Sequence, residues 1–142
     1  MFIKQLSIFI ENRPGRINEV TKALAENDIN IVCVSLSDTV DYGVFRLIVS
    51  NPKTAQEILT SKGFSSTLTD VVGVKLPPHF GMLNKLTDAL TEATISLSYI
   101  YALNSGKDDA AVIIKTSDNK KALDAIKAAG LEILNPSAAY NL

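Results

Sequence analysis

The chain repeats itself, and the repeat limits what it can fold into. Sliding the sequence by 66 residues lays Gly15 on Gly81, Asn18 on Asn84, Thr21 on Thr87, Ala23 on Ala89, Leu24 on Leu90, Glu26 on Glu92 and Ile29 on Ile95. Those seven identities in a fifteen-residue window compare with roughly one expected from average residue usage. The alternating apolar residues Leu6, Ile8 and Ile10 fall on Val72, Val74 and Leu76. Beyond the loop near Asp41 the offset becomes 67, matching Ala55 to Ala122, Gly63 to Gly130 and Phe64 to Leu131. Self-similarity over this length decides the architecture before any single element does. At 142 residues, 46% of them apolar, the chain has room for two very small domains, expected at 1–68 and 69–142. Only Thr69 and Asp70 separate the copies, so no flexible Gly/Pro/Ser linker is present and the two are expected packed as a pseudo-dimer.

Within the first copy, Leu6, Ile8 and Ile10 alternate with Gln5 and Ser7 at the period of a strand, whereas Ile17, Val20 and Leu24 recur at helical spacing. The spacing predicts a strand over 3–10 and a helix over 14–26, with Pro14 at the first helical position and the end at Asn27-Asp28. A strand from 29 to 37, a hairpin over 38–43 with Asp and Gly turn chemistry, and a returning strand over 44–49 follow. Ser50-Asn51-Pro52 reads as the cap of a second helix that Gly63 ends, and residues 64–68 close the unit with a short strand. The second copy repeats this order. Strands at 71–76, 95–103, 110–116 and 131–134 surround helices at 81–93, burying Leu83, Leu86 and Leu90, and at 118–129. The fold class is therefore α+β: two ferredoxin-like βαββαβ units with antiparallel sheets.

The turn between the first strand and the first helix holds the most suggestive chemistry. Glu11-Asn12-Arg13-Pro14-Gly15-Arg16-Ile17 leads into a helix N-terminus whose amides suit a carboxylate or phosphate. The same residues also make an ordinary capped turn. Arg13 reads as solvated charge, and Arg16 as the residue better placed to face an anion. His79, the single histidine, aligns with Arg13 and reads as an exposed loop residue, while Tyr99 and Tyr101 alternate onto one sheet face and read as packing.

Composition removes several function classes. A formal charge of −1 with both signs scattered gives no basic stripe for nucleic acid. Phe9 and Phe45 lack the basic flanks of an RNA-binding sheet. No apolar run is long enough to span a bilayer, and the start Met1-Phe2-Ile3-Lys4 lacks the pattern of a leader, so a cytoplasmic protein is expected. Cys33 is the only cysteine and reads as a buried thiol. With one His, one Cys, no metal-ligand spacing and no phosphate loop, neither a cofactor, a metal nor catalysis is expected. Asp108, Asp109 and Glu132 read as loop and surface charge.

The stretch Glu11-Asn12-Arg13-Pro14-Gly15-Arg16-Ile17, followed after the helix by Asp28-Ile29-Asn30-Ile31, resembles the signature of the ACT domain, a small regulatory module of amino-acid metabolic enzymes. It is most similar to the version at the end of serine-inhibited phosphoglycerate dehydrogenases. The resemblance implies a free amino acid as ligand, held at the interface of two paired units; composition leaves neither nucleic acid nor membrane expected as partner. It implies that Asn12 and Asn30 hydrogen-bond that ligand and that Gly15 gives access to backbone amides. A zwitterion suits this set, because amides serve both its carboxylate and its ammonium without a buried net charge. The candidate ligand-binding residues are thus Glu11, Asn12, Arg13, Pro14, Gly15, Arg16, Ile17, Asn30 and Ile31, with Ser96 from the second copy.

Departures from the family pattern narrow this reading. Ile10 stands where the family has a histidine two residues before the turn asparagine, so that polar contact is missing. Pro78 and Ser96 replace the two asparagines in the second copy, so the copies are not equivalent sites. The expected protein is a homodimeric amino-acid sensor controlling an enzyme or transcriptional regulator. A small ligand of this kind binds in the micromolar to millimolar range, on the order of −4 to −8 kcal/mol. Two other readings compete: a ligand-free interaction module of the same fold, and an acylphosphatase-like enzyme.

Overall fold

Strand alternation and helical spacing translate directly into two βαββαβ units. The computed structural model describes residues 2–38, 41–104 and 110–142. The chain divides into one compact unit of Lys4–Thr69 and a second of Asp70–Tyr140, to which Phe2 and Ile3 also belong. The first holds β1 (Ile3–Glu11), α1 (Arg16–Glu26), β2 (Ile31–Asp38), β3 (Tyr42–Val49), α2 (Pro52–Ser61) and the start of β4 (Ser65–Leu76). The second holds the rest of β4, α3 (Met82–Glu92), β5 (Leu97–Asn104), β6 (Ala110–Thr116), α4 (Asn119–Ala128), β7 (Glu132–Ile133) and α5 (Pro136–Tyr140). Strand order is β2-β3-β1-β4 in the first unit and β4-β6-β5 with β7 on β4 in the second. The hairpin residues 39–40 and 105–109, including Asp108 and Asp109, lie outside the described residues.

The register repeats with the sequence. Leu6 faces Leu47 and Ile8 faces Phe45 in the first unit, and the equivalent Val72 faces Ile114 and Val74 faces Val112 in the second. Each unit buries one face of its sheet under its two helices. Leu6, Ile8, Val20, Leu24, Leu47 and Leu59 center the first core, and Val74, Leu86, Leu90, Ile114 and Ile126 the second. Both edge strands bulge at the same place, between Ile31 and Cys33 and between Leu97 and Tyr99. Asp28 and Thr94, three residues before these edge strands, both adopt positive φ, at 57° and 58°. The hydroxyls of Ser50 and Ser117 accept from the amides of Asn30 and Ser96, each at 3.0 Å. Asn51 and Asp118 cap α2 and α4 by accepting from the amides of Thr54 and Lys121.

Several expectations need correcting. Helix α1 begins at Arg16 with Gly15 as its N-cap, so Pro14 lies in the turn before it rather than at the first helical position. The expected short strand at 64–68 and the next at 71–76 are one twelve-residue strand, β4, because its pairing with β1 and β6 holds Thr69 and Asp70 extended. Leu83 is 50% exposed, lying in the first turn of α3 at the margin of the stripe set by Met82, Leu86, Ala89 and Leu90. Cys33 is half-buried rather than buried, and its partial burial pushes the thiol pKa up to about 11. The last strand shrinks to Glu132–Ile133, and Asn135 caps an unforeseen final helix by accepting from the Ser137 amide at 2.9 Å.

Candidate functional site

The first β–α turn is built by its backbone before any side chain contributes. Glycine at position 15 takes φ 90°, a left-handed conformation open to it because it lacks Cβ. The Asn12 amide donates to the Asp41 carbonyl at 3.0 Å, tying the turn to the start of β3, and the Arg13 amide donates to the Glu11 carbonyl at 2.9 Å. No N-cap side chain accepts from the first turn of α1. Beside this turn, Phe9, Ile10, Glu11, Arg16, Tyr42, Gly63 and Ser65 line a pocket of about 290 Å³, all within the first unit. That volume sits at the small end of the range for ligand sites, roughly 300–1,000 Å³.

Arg16 dominates the pocket's electrostatics. Its side chain is 16% exposed, and its guanidinium lies 4.2 Å over the Phe64 ring, a cation–π contact that holds the side chain against the first core. One nitrogen, Nη1, donates to Glu19 at 2.6 Å. The Nε proton is buried and has no acceptor among the described residues. Glu11, at the other side of the turn, is held by Arg13 Nε at 3.0 Å in an exposed pair.

Glu11 and Arg16 are the sequence-predicted residues that line the pocket. Asn12, Arg13, Pro14 and Gly15 are exposed in the turn and are not among the pocket's lining residues, and Ile17 packs against the first core. Exposed Asn30 engages Ser50 through its backbone at the start of β2, where half-buried Ile31 packs against the same core. Ser96 is exposed and makes the matching backbone contact with Ser117 in the second unit. Sequence reasoning missed Phe9, Ile10, Tyr42, Gly63 and Ser65 as pocket residues. Phe9 gave a signal, as a large aromatic on the polar side of an alternating strand, whereas Tyr42 was read as part of the hairpin.

The second turn keeps the backbone and replaces the chemistry. Gly81 takes φ 82° as the N-cap of α3, with Pro78, His79 and Phe80 before it. His79 is exposed, as expected, and Phe80 is fully exposed. Met82 stands in the place of Arg16 and Leu131 in the place of Phe64. Tyr99 and Tyr101 stack with centroids 6.4 Å apart, half-buried on β5. Among the described residues, no group of His, Cys, Asp and Glu could hold a metal ion, and no helix is long and apolar enough to cross a membrane.

Two βαββαβ units with matching registers, caps and left-handed turn glycines define a tandem ferredoxin-like pair. The chain belongs to the ACT domain pair family, whose model matches residues 1–140. Among solved structures it is similar to protein BT0572 from Bacteroides thetaiotaomicron, at 35% identity and a TM-score of 0.94, covering 100% of this chain and 98% of that one. It shares its fold with the ligand-free regulatory subunit of aspartate kinase from Thermus thermophilus, at 21% identity and a TM-score of 0.63 over 90% of this chain and 93% of that one. The Thermus flavus regulatory subunit of aspartate kinase gives 20% identity and a TM-score of 0.60, covering 92% and 94%. A search of curated proteins returns no match.

Proposed function

We propose that this ACT pair is a non-catalytic regulatory module that binds a free amino acid in the pocket beside the first β–α turn. Occupancy of that pocket is then read by a partner enzyme or transcriptional regulator. Arg16 carries the proposal: a largely buried cation lining a small pocket, with donor capacity that Glu19 does not exhaust. A hydrogen bond to a charged group is worth about 1.5–3 kcal/mol, and a carboxylate drawn into the pocket is placed to accept from the guanidinium. Glu11, on the same pocket, supplies an acceptor for an ammonium. The fold shared with two aspartate kinase regulatory subunits supports a regulatory role. Through such a module, ligand binding shifts a partner's equilibrium by roughly 1–3 kcal/mol.

The test is a thermal-shift and calorimetric screen of the twenty amino acids on the full chain, repeated on Arg16→Met. That substitution installs the residue of the second copy at the matching position. A stabilising amino acid whose affinity falls about 10- to 100-fold in Arg16→Met is the expected result, the equivalent of losing a charged hydrogen bond of about 1.5–3 kcal/mol. A flat screen removes the sensor reading and leaves an interaction module.

A further inference from the structure

The walls of the first-unit pocket say more than its charges. Phe9 and Tyr42 are 56% and 55% exposed, both line the pocket, and they stand on the same side of the sheet. The register places them there: Tyr42 pairs with Glu11 and Val44 with Phe9, so Phe9, Glu11, Tyr42 and Val44 share the face opposite the buried Ile8, Ile10 and Phe45. Leaving two large aromatic side chains half in water beside a cation is a poor use of apolar surface for folding alone. The second copy shows that the fold does not require it. There Lys75 occupies the position of Phe9 and Glu132 that of Ser65, and the two close the matching spot with an ion pair at 2.8 Å.

We infer that the pocket is built for an α-amino acid with an aromatic side chain, its carboxylate toward Arg16, its ammonium toward Glu11 and its ring against Phe9 and Tyr42. The inference rests on the amino-acid reading above and adds the class of side chain. Rings favour offset or edge-to-face contact with other rings, so Phe9 and Tyr42 discriminate in favour of a flat apolar group and against a hydroxymethyl or a bare hydrogen. The volume of about 290 Å³ admits a single amino acid. Arg16, itself stacked on Phe64, fixes the charged end and so sets the direction in which the side chain must lie.

Titration calorimetry on the full chain with L-phenylalanine, L-serine and glycine, on the unaltered protein and on Phe9→Ala, tests this. Because Phe9 is more than half exposed, Phe9→Ala is expected to fold, which circular dichroism checks. L-phenylalanine should bind at least about tenfold more tightly than glycine. Phe9→Ala should weaken L-phenylalanine about tenfold while leaving glycine unchanged. Phenylpropionate, which keeps the carboxylate and lacks the ammonium, should bind more weakly than L-phenylalanine. Serine or glycine binding as tightly as phenylalanine, or Phe9→Ala without effect on phenylalanine, overturns the side-chain inference and leaves the amino-acid site standing. No heat with any amino acid overturns both.

Discussion

At the first β–α turn Gly15 takes φ 90° and at the second Gly81 takes 82°, and several backbone hydrogen bonds around them match, although the bond from the Asn12 amide to the Asp41 carbonyl has no counterpart at Pro78, which lacks an N–H. The Glu19 amide donates to the Gly15 carbonyl as the Lys85 amide does to Gly81, and the Ile29 amide to Leu24 as Ile95 does to Leu90. The side chains at the same turns are unrelated: Asn12-Arg13-Pro14 against Pro78-His79-Phe80, Arg16 against Met82, Glu19 against Lys85. Folding demands the shared part, because each unit must turn from strand to helix and bury the same stripe. The divergent part answers to something else. One unit holds a stacked, partly unsatisfied cation beside an aromatic wall, and the other holds an ion pair and an exposed Phe80.

The largest test of this division is in the cores. Leu24 and Leu90 are equivalent positions, 0% and 3% exposed. Leu24→Ala and Leu90→Ala should each cost about 2–5 kcal/mol, the transfer term plus the cavity left behind. Urea denaturation measures both. Unequal costs, differing by more than about 2 kcal/mol within that range, would break the equivalence of the two units in packing despite their matching backbones.

A smaller effect is expected where the backbone is shared but nothing packs. A Cβ added at Gly15 or Gly81 meets no atom within 4 Å, so Gly15→Ala and Gly81→Ala add no clash. What remains is the cost of an L-residue in the left-handed region, about 1–2 kcal/mol, the same in both turns. Paired urea curves check it. A much larger loss in one turn would mean that its amides are restrained by contacts the other lacks.

The fold was legible because a period of two followed by a period of 3.6, twice over at one spacing, leaves little choice of architecture. The cap at Asn51 and the terminators at Gly63 and Gly130 could be read from residue type alone, whereas Asp118, read as the first helical residue, is the cap of α4. Continuity of β4 could not, since Thr69 and Asp70 extend as readily as they bend and only pairing decides between the two. The site was half legible. Arg16 stood out as a charge entering a helix, but its stacking on Phe64 joins residues far apart in sequence, and Ser65 and Gly63 reach the pocket only through the order β3-β1-β4. The asparagines pointed to by the family resemblance, Asn12 and Asn30, lie outside the pocket lining, whereas Phe9 and Tyr42 lie within it.

The smallest expected effect separates the two bulges. Cys33 and Tyr99 occupy equivalent positions on β2 and β5, and the Cys33 thiol is shifted from 9.0 to about 11, chiefly by burial, with the Ile48 backbone opposing. The folded chain thus holds this proton more tightly than the unfolded chain does. By linkage, the stabilisation is fully present below pH 9 and fades as pH rises toward 11, because the unfolded thiol ionises first. The informative quantity is the difference between the protein and Cys33→Ala, which isolates the thiol. That difference in urea midpoint should be constant up to about pH 9 and then shrink in favour of Cys33→Ala as pH approaches 11. A difference that stays flat to pH 11 would mean that the bulge leaves the thiol open to water, as an ordinary exposed edge strand would.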